Sequence, residues 1–148
     1  MLRTLKKEDG FTLIEILIVV VIIGFLAATV GPNLFNRVSE ARQTAAQNQM
    51  DIFKLALDNY RLDNGQYPTT QQGLAALIKE PGIPPLAKNW NGPYLDKKEI
   101  PLDPWGNEYQ YLIPGNHNDH KYDLWSRGKD GSDGDEDGSG EGADVTNW

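Results

Sequence analysis

A run of about twenty residues near the start of the chain, Phe11–Val30 (FTLIEILIVVVIIGFLAATV), is apolar apart from Thr12, Glu15 and Thr29. At about 1.5 Å of rise per residue, a helix of that length reaches roughly 30 Å, the depth of one bilayer core. Such a rod needs lipid or other helices around it. Glu15 is the exception to its apolar character. An ionised carboxylate in hydrocarbon costs roughly 2.5–3.5 kcal/mol even on lenient insertion scales, so this one is read as functional. No other long stretch of the 148 residues is apolar enough to span a membrane. What remains suffices for one modest domain.

Arg3, Lys6 and Lys7 precede the run. Basic flanks stay cytoplasmic, which sends the C-terminus outward. A secretory signal peptide also opens on bases, but its apolar core is usually shorter, rarely holds a carboxylate and ends at a small-residue site. Leu26-Ala27-Ala28 imitates only the last of these. The net charge of −7 argues against a general nucleic-acid binder. There is no cysteine, so a domain outside the cytoplasm is held together in another way, a bound metal ion being one option.

Gly31-Pro32 closes the run; the helix either bends there and resumes, or ends. Ser39–Leu62 reads as an amphipathic helix. Val38, Ala41, Ala45, Ile52, Ala56 and Tyr60 form its apolar stripe, widened by Met50, Phe53 and Leu57, while Arg42, Gln43, Gln47 and Lys54 face away. Asn64-Gly65 stops it. A turn and a short helix over Gln71–Lys79 follow, then a loop from Pro81 to Pro93 that is long for a compact domain and is expected to lie on the surface as a packed connection. Asp103-Pro104-Trp105-Gly106 reads as a turn that buries its aromatic residue. Alternation at Tyr109, Tyr111 and Ile113 marks a strand, and Tyr122 with Leu124 its return, an antiparallel hairpin packed on the amphipathic helix. His117 and His120 fall in the turn between and have no third metal ligand beside them.

From Asp119 to Trp148 nine acidic residues face three basic ones. Most lie in Arg127–Asp144, RGKDGSDGDEDGSGEGAD. A disordered acidic tail has this composition. Yet Val145 and Trp148 follow, so the chain returns to the domain and closes a loop. Closing it crowds carboxylates, and a cation relieves that. Ca2+ takes six to eight oxygen ligands in flexible geometry. Asp133, Asp135, Asp137 and Gly138 reproduce the D-x-D-x-D-G opening of an EF-hand loop, and Asp144 stands at its twelfth position, without the flanking helices.

Gly10-Phe11-Thr12-Leu13-Ile14-Glu15 resembles the GFTLxE motif of type IV pilins and type II secretion pseudopilins. The later order of Thr69-Thr70-Gln71-Gln72-Gly73-Leu74, Asp103-Pro104-Trp105-Gly106 and the acidic loop is similar to the major pseudopilins in particular. That resemblance implies cleavage by a prepilin peptidase between Gly10 and Phe11, followed by N-methylation of Phe11. Losing the leader removes three bases and two acids and leaves a charge of −8. The new amine is a cation one helical turn from Glu15, which can pair with it within the chain or on a neighbour. The resemblance also implies Ca2+ ligation by Asp130 and Asp144 with the carbonyls of Arg127 and Ser132. Which of Asp133, Asp135 and Asp137 join them stays open, because this loop is longer than the family pattern.

The expected fold is α+β, a long N-terminal helix, half membrane-embedded and half amphipathic, packed on a small antiparallel sheet with a C-terminal Ca2+ loop. Its expected divisions are a leader (1–10), a transmembrane and assembly helix (11–32) and a periplasmic domain (33–148) that includes the acidic loop at 126–144. The resemblance implies a structural protein, not an enzyme. Held first in inner-membrane lipid, it would polymerise with itself into a periplasmic pseudopilus that drives folded proteins across the outer membrane. Implied partners are minor pseudopilins, the inner-membrane platform and the secretin; nucleic acid is not among them. A type IV pilin for adhesion or motility is the alternative, although many such pilins carry a disulfide. A hydrolase would need a nucleophile–base pair and an apolar pocket, and neither is suggested by the sequence.

Overall fold

The computed structural model describes residues 10–133 and 144–148, with the main chain alone for residues 30–36. Met1–Asp9 of the leader, and Asp135 and Asp137 of the acidic loop, lie outside the described residues. The chain divides into two compact units, Met1–Val38 and Ser39–Trp148. The helix α1, Leu13–Asn64, contributes to both and runs through Gly31-Pro32.

In the first unit every described residue from Phe11 to Thr29 is exposed. Phe11 and Leu13 are 79% and 88% accessible. Among the described residues no helix is long and apolar enough to cross a membrane. The side chains described in the apolar run stop at Thr29.

In the second unit α1 carries the core. Ala46, Met50, Phe53, Leu57, Tyr60 and Asn64 are buried, at alternating spacings of four and three residues. That is one seam of a helix. Met50, Phe53 and Leu57 are fully buried, each contributing roughly 1.5–3 kcal/mol as an upper estimate. Gly65, at φ +81°, supplies the left-handed residue that ends the helix, donating its N–H to the Arg61 carbonyl at 2.7 Å.

The expected apolar stripe divides in two. Ala56 and Tyr60 are buried, but Val38, Ala41, Ala45 and Ile52 are exposed. The exposed ones belong to a second seam, Ala41, Ala45, Asn48, Ile52, Leu55, Asn59 and Leu62, all accessible and none charged. Gln43, Gln47 and Lys54, expected to face away, are only half exposed. Two seams of equal period on one helix merge into a single wide stripe when read from spacing; the core chooses one of them.

A short 3-10 helix, Leu74–Leu77, buries Leu74, Ala76 and Leu77. The connection after it is packed rather than loose. Tyr94 donates its N–H to the Leu77 carbonyl at 2.7 Å, and the Trp90 indole donates to the Ala76 carbonyl at 3.0 Å. The sheet has three antiparallel strands in order β1 (Gln110–Leu112), β2 (Asp123–Ser126) and β3 (Val145–Thr146). Tyr111 faces Leu124 across β1 and β2, and Trp125 faces Thr146 across β2 and β3. Tyr109, Tyr122 and Leu124 join the α1 core, with Tyr109 set edge-on to Phe53 at 5.1 Å. Burial, and secondarily Asp103, push the Tyr109 hydroxyl up to about 12. β3 is the strand beyond the expected hairpin. It follows the acidic loop and carries the chain back to the sheet.

Candidate functional site

The N-terminal site starts at the first turn of α1. Thr12 is its N-cap. The Glu15 N–H donates to the Thr12 hydroxyl at 3.3 Å, and the Thr12 N–H donates back to the Glu15 carboxylate at 3.5 Å. This is a capping box, two otherwise orphaned donors satisfied reciprocally. Its signal, Thr-x-x-Glu, stands in the sequence but was hidden within the motif. Glu15 is thus a helix-start residue as well as the lone acid of the apolar run. Gly10 and Phe11, the expected cleavage pair, are exposed beside it.

The C-terminal site is organised by two buried carboxylates, Asp103 of the expected turn and Asp123, whose burial the sequence does not reveal. Asp103 accepts the N–H groups of Trp105 and Asn107 at 2.9 and 2.8 Å and the Ser126 hydroxyl. The expected turn therefore buries its aspartate, while Trp105 is only half buried. Asn107 extends the tie, donating from its side chain to the Gly128 carbonyl at 2.9 Å.

Asp123 caps the turn before β2. It accepts N–H groups from Asn116, His117 and Asn118 at 2.6–3.0 Å. Gly115 has no Cβ, which leaves room for this carboxylate. Burial works to raise the Asp123 pKa, but the His117, Asn118 and Asn116 donors together outweigh it and hold the group below the usual carboxylate value. A lowered folded pKa stabilises the fold above the unfolded value, about 3.9, and that stability is lost as pH falls through the lower folded one. Asp123→Ala should therefore cost on the order of 2 kcal/mol at neutral pH, with the deficit shrinking in acid below about pH 4. Chemical denaturation at pH 7 and pH 3 measures it. His117 does more than fill a loop: it stacks on Trp148 at 4.1 Å and 8°, with Nδ1 3.3 Å from Asp123.

The expected Ca2+ ligands are only partly brought together. Asp130 accepts the Ser132 N–H at 2.9 Å in a local turn. Asp133 is gripped by Arg127, whose Nε and Nη2 donate at 2.8 and 2.9 Å, and by the Trp125 indole at 2.9 Å. The Arg127 guanidinium, then the Trp125 N–H, lower the Asp133 pKa. Asp133 and Asp144 line one cavity of about 120 Å³ with Asp123 and His117. Arg127, whose own pKa is raised chiefly by Asp133, also feels the charge of Asp144. Oxygen donors of this kind suit a hard cation. Among the described residues, however, no three acidic, histidine or cysteine groups are gathered to hold a metal. The cation seen beside Asp133 is the protein's own guanidinium.

Residues 33–148 match the family described as Type II secretion system (T2SS), protein G, and residues 5–31 match the Prokaryotic N-terminal methylation motif. A Type II secretion system core protein G of Pseudomonas aeruginosa is 50% identical over 97% of this chain and 96% of its own length. One of Escherichia coli is 47% identical over 99% and 95%. The crystal structure of the major pseudopilin from the type 2 secretion system of enterohaemorrhagic Escherichia coli matches at 39% identity and a TM-score of 0.65, covering 79% of this chain and 95% of that one. With a family match across most of its length and relatives this similar, the chain belongs to the type II secretion system protein G family, the major pseudopilins.

Proposed function

We propose that this protein is the repeating subunit of a periplasmic pseudopilus, which drives folded proteins across the outer membrane. One observation carries the reading. The methylation motif opens directly onto a helix of exposed apolar residues that holds a single acid, Glu15, at its first turn. Until assembly that surface sits in inner-membrane lipid, with the domain of residues 33–148 in the periplasm. In the filament, other copies replace the lipid. After the leader is cut between Gly10 and Phe11, the N-methylated amine of one subunit pairs with Glu15, offsetting the cost of burying that charge. The uncharged second seam from Ala41 to Leu62 offers further surface for copy–copy packing.

The role is structural; prepilin peptidase, minor pseudopilins, the inner-membrane platform and the secretin are the other chains it meets. Ca2+ is its proposed ligand, held by Asp130, Asp144 and the carbonyls of Arg127 and Ser132, with Asp133, Asp135 or Asp137 completing the shell. The ion would join carboxylates that otherwise repel. Supporting this are the oxygen-only donors and the return of the chain through β3, which closes the acidic loop. Binding through Asp133 requires Arg127 to release it.

Mass spectrometry of the membrane-extracted protein tests the assembly reading. The expected chain begins at N-methyl-Phe11. A chain beginning near Thr29 means ordinary secretion and overturns it.

A further inference from the structure

β1 is an edge strand, and its open side is only partly closed. The direction of its main-chain groups follows from β2. Leu124 donates its N–H to the Asn147 side chain at 2.8 Å and accepts the Asn147 N–H at 3.1 Å, so its main chain points toward β3 and away from β1. Tyr111 is the residue opposite Leu124. In an antiparallel ladder, such a pair turns its N–H and C=O groups outward on both strands. Those of Tyr111 therefore face the open edge. Ile113 has the same parity, and there Thr70 closes the edge: the Ile113 N–H donates to the Thr70 hydroxyl at 2.9 Å, and that hydroxyl donates to the Ile113 carbonyl at 3.0 Å. No described side chain or loop does the same for the main chain of Tyr111.

A cleft of about 320 Å³ lies at this stretch, lined by Leu74, Ala75, Ile100 and Leu102 together with Tyr109 and Tyr111. Sequence patterning suggested no such pocket; it arises where the 3-10 helix and the segment before β1 meet the sheet. Leu102 remains 56% exposed in it. The Tyr109 hydroxyl is buried with no hydrogen-bond partner among the described residues. Glu108 is the one charged residue in the lining.

We propose that this cleft is a strand-addition site. An extended segment of a partner polypeptide pairs with Tyr111, sets an aliphatic side chain against Leu74 and Leu102, and carries a basic residue toward Glu108. Unpaired edge groups are met by an extended chain, not by a helix, whose main chain is already bonded to itself. Glu108, the charged residue of the lining, favours a partner segment that carries a basic side chain. The site goes beyond the assembly reading and does not depend on it.

The test is an NMR titration of the full chain in detergent micelles with a capped Lys-Val-Lys-Val-Lys-Val peptide. The same peptide N-methylated on its edge-facing amides, and a Glu-Val counterpart, serve as controls. The Lys-Val peptide should shift the amides of Ala75, Leu102 and Tyr111 and slow exchange at the Tyr111 N–H at least tenfold. N-methylation should weaken binding at least tenfold, and the Glu-Val peptide should bind at least fivefold more weakly. Leu102→Ser, at a largely exposed position, should lower affinity at least fivefold with Tm unchanged. Equal binding of the methylated peptide overturns strand pairing, and equal binding of the acidic one overturns the basic partner. Absence of any shift at millimolar peptide overturns the site. Concentration-dependent protection of Tyr111 without peptide makes a second copy the occupant and overturns the assignment.

Discussion

Glu15→Leu should leave the chain inserted and processed, yet cut filament assembly and export more than tenfold. The substitution removes a charge that costs roughly 2.5–3.5 kcal/mol in hydrocarbon, so membrane insertion becomes easier. A loss of function must then come from what the carboxylate itself does, not from insertion. The capping box adds a second role that has to be separated, because Glu15 also serves the Thr12 N–H. Gln is competent at that position of a capping box but carries no charge. Glu15→Gln should therefore keep the helix start and still fail to assemble. Filament yield by electron microscopy and export of a reporter, both on chains shown by mass spectrometry to be cut after Gly10, measure this. Normal assembly by the Gln variant would assign Glu15 to capping alone and sink the charge-pairing account.

Saturating Ca2+ should raise the Tm of the detergent-extracted chain by roughly 10 °C, and EDTA should reverse it. Ligand at a hundred times its Kd contributes about 2.7 kcal/mol, and 1 kcal/mol moves a domain of this size by about 4 °C. Asp130→Ala and Asp144→Ala should each remove most of the shift. Mg2+, which gives up its water reluctantly, should produce a smaller one. Arg127→Ala is informative because Arg127 competes for Asp133. If Asp133 is a ligand, that variant should bind Ca2+ more tightly while being less stable without it. Superimposable melting curves with and without Ca2+ would remove the ion from the account.

Amino-acid order alone determined the apolar rod, its solitary acid, the stop at Asn64-Gly65 and the hairpin around Tyr111 and Leu124. These follow from local chemistry: side-chain hydropathy, helical and strand periodicity, and the freedom of glycine. Only the tertiary structure decided which of two seams on α1 goes inside. Met50 and Leu57 are buried, while Ile52 and Leu55 stay in solvent, because the sheet can cover only one side of the helix. It also decided that Asp103 and Asp123, not Trp105, anchor the turns, since a buried carboxylate depends on N–H donors gathered by the fold. The open edge at Tyr111, beside one that Thr70 closes from about forty residues away in sequence, is likewise a matter of chain path. Burial and long-range pairing are relations between segments, and no window along the sequence contains both partners.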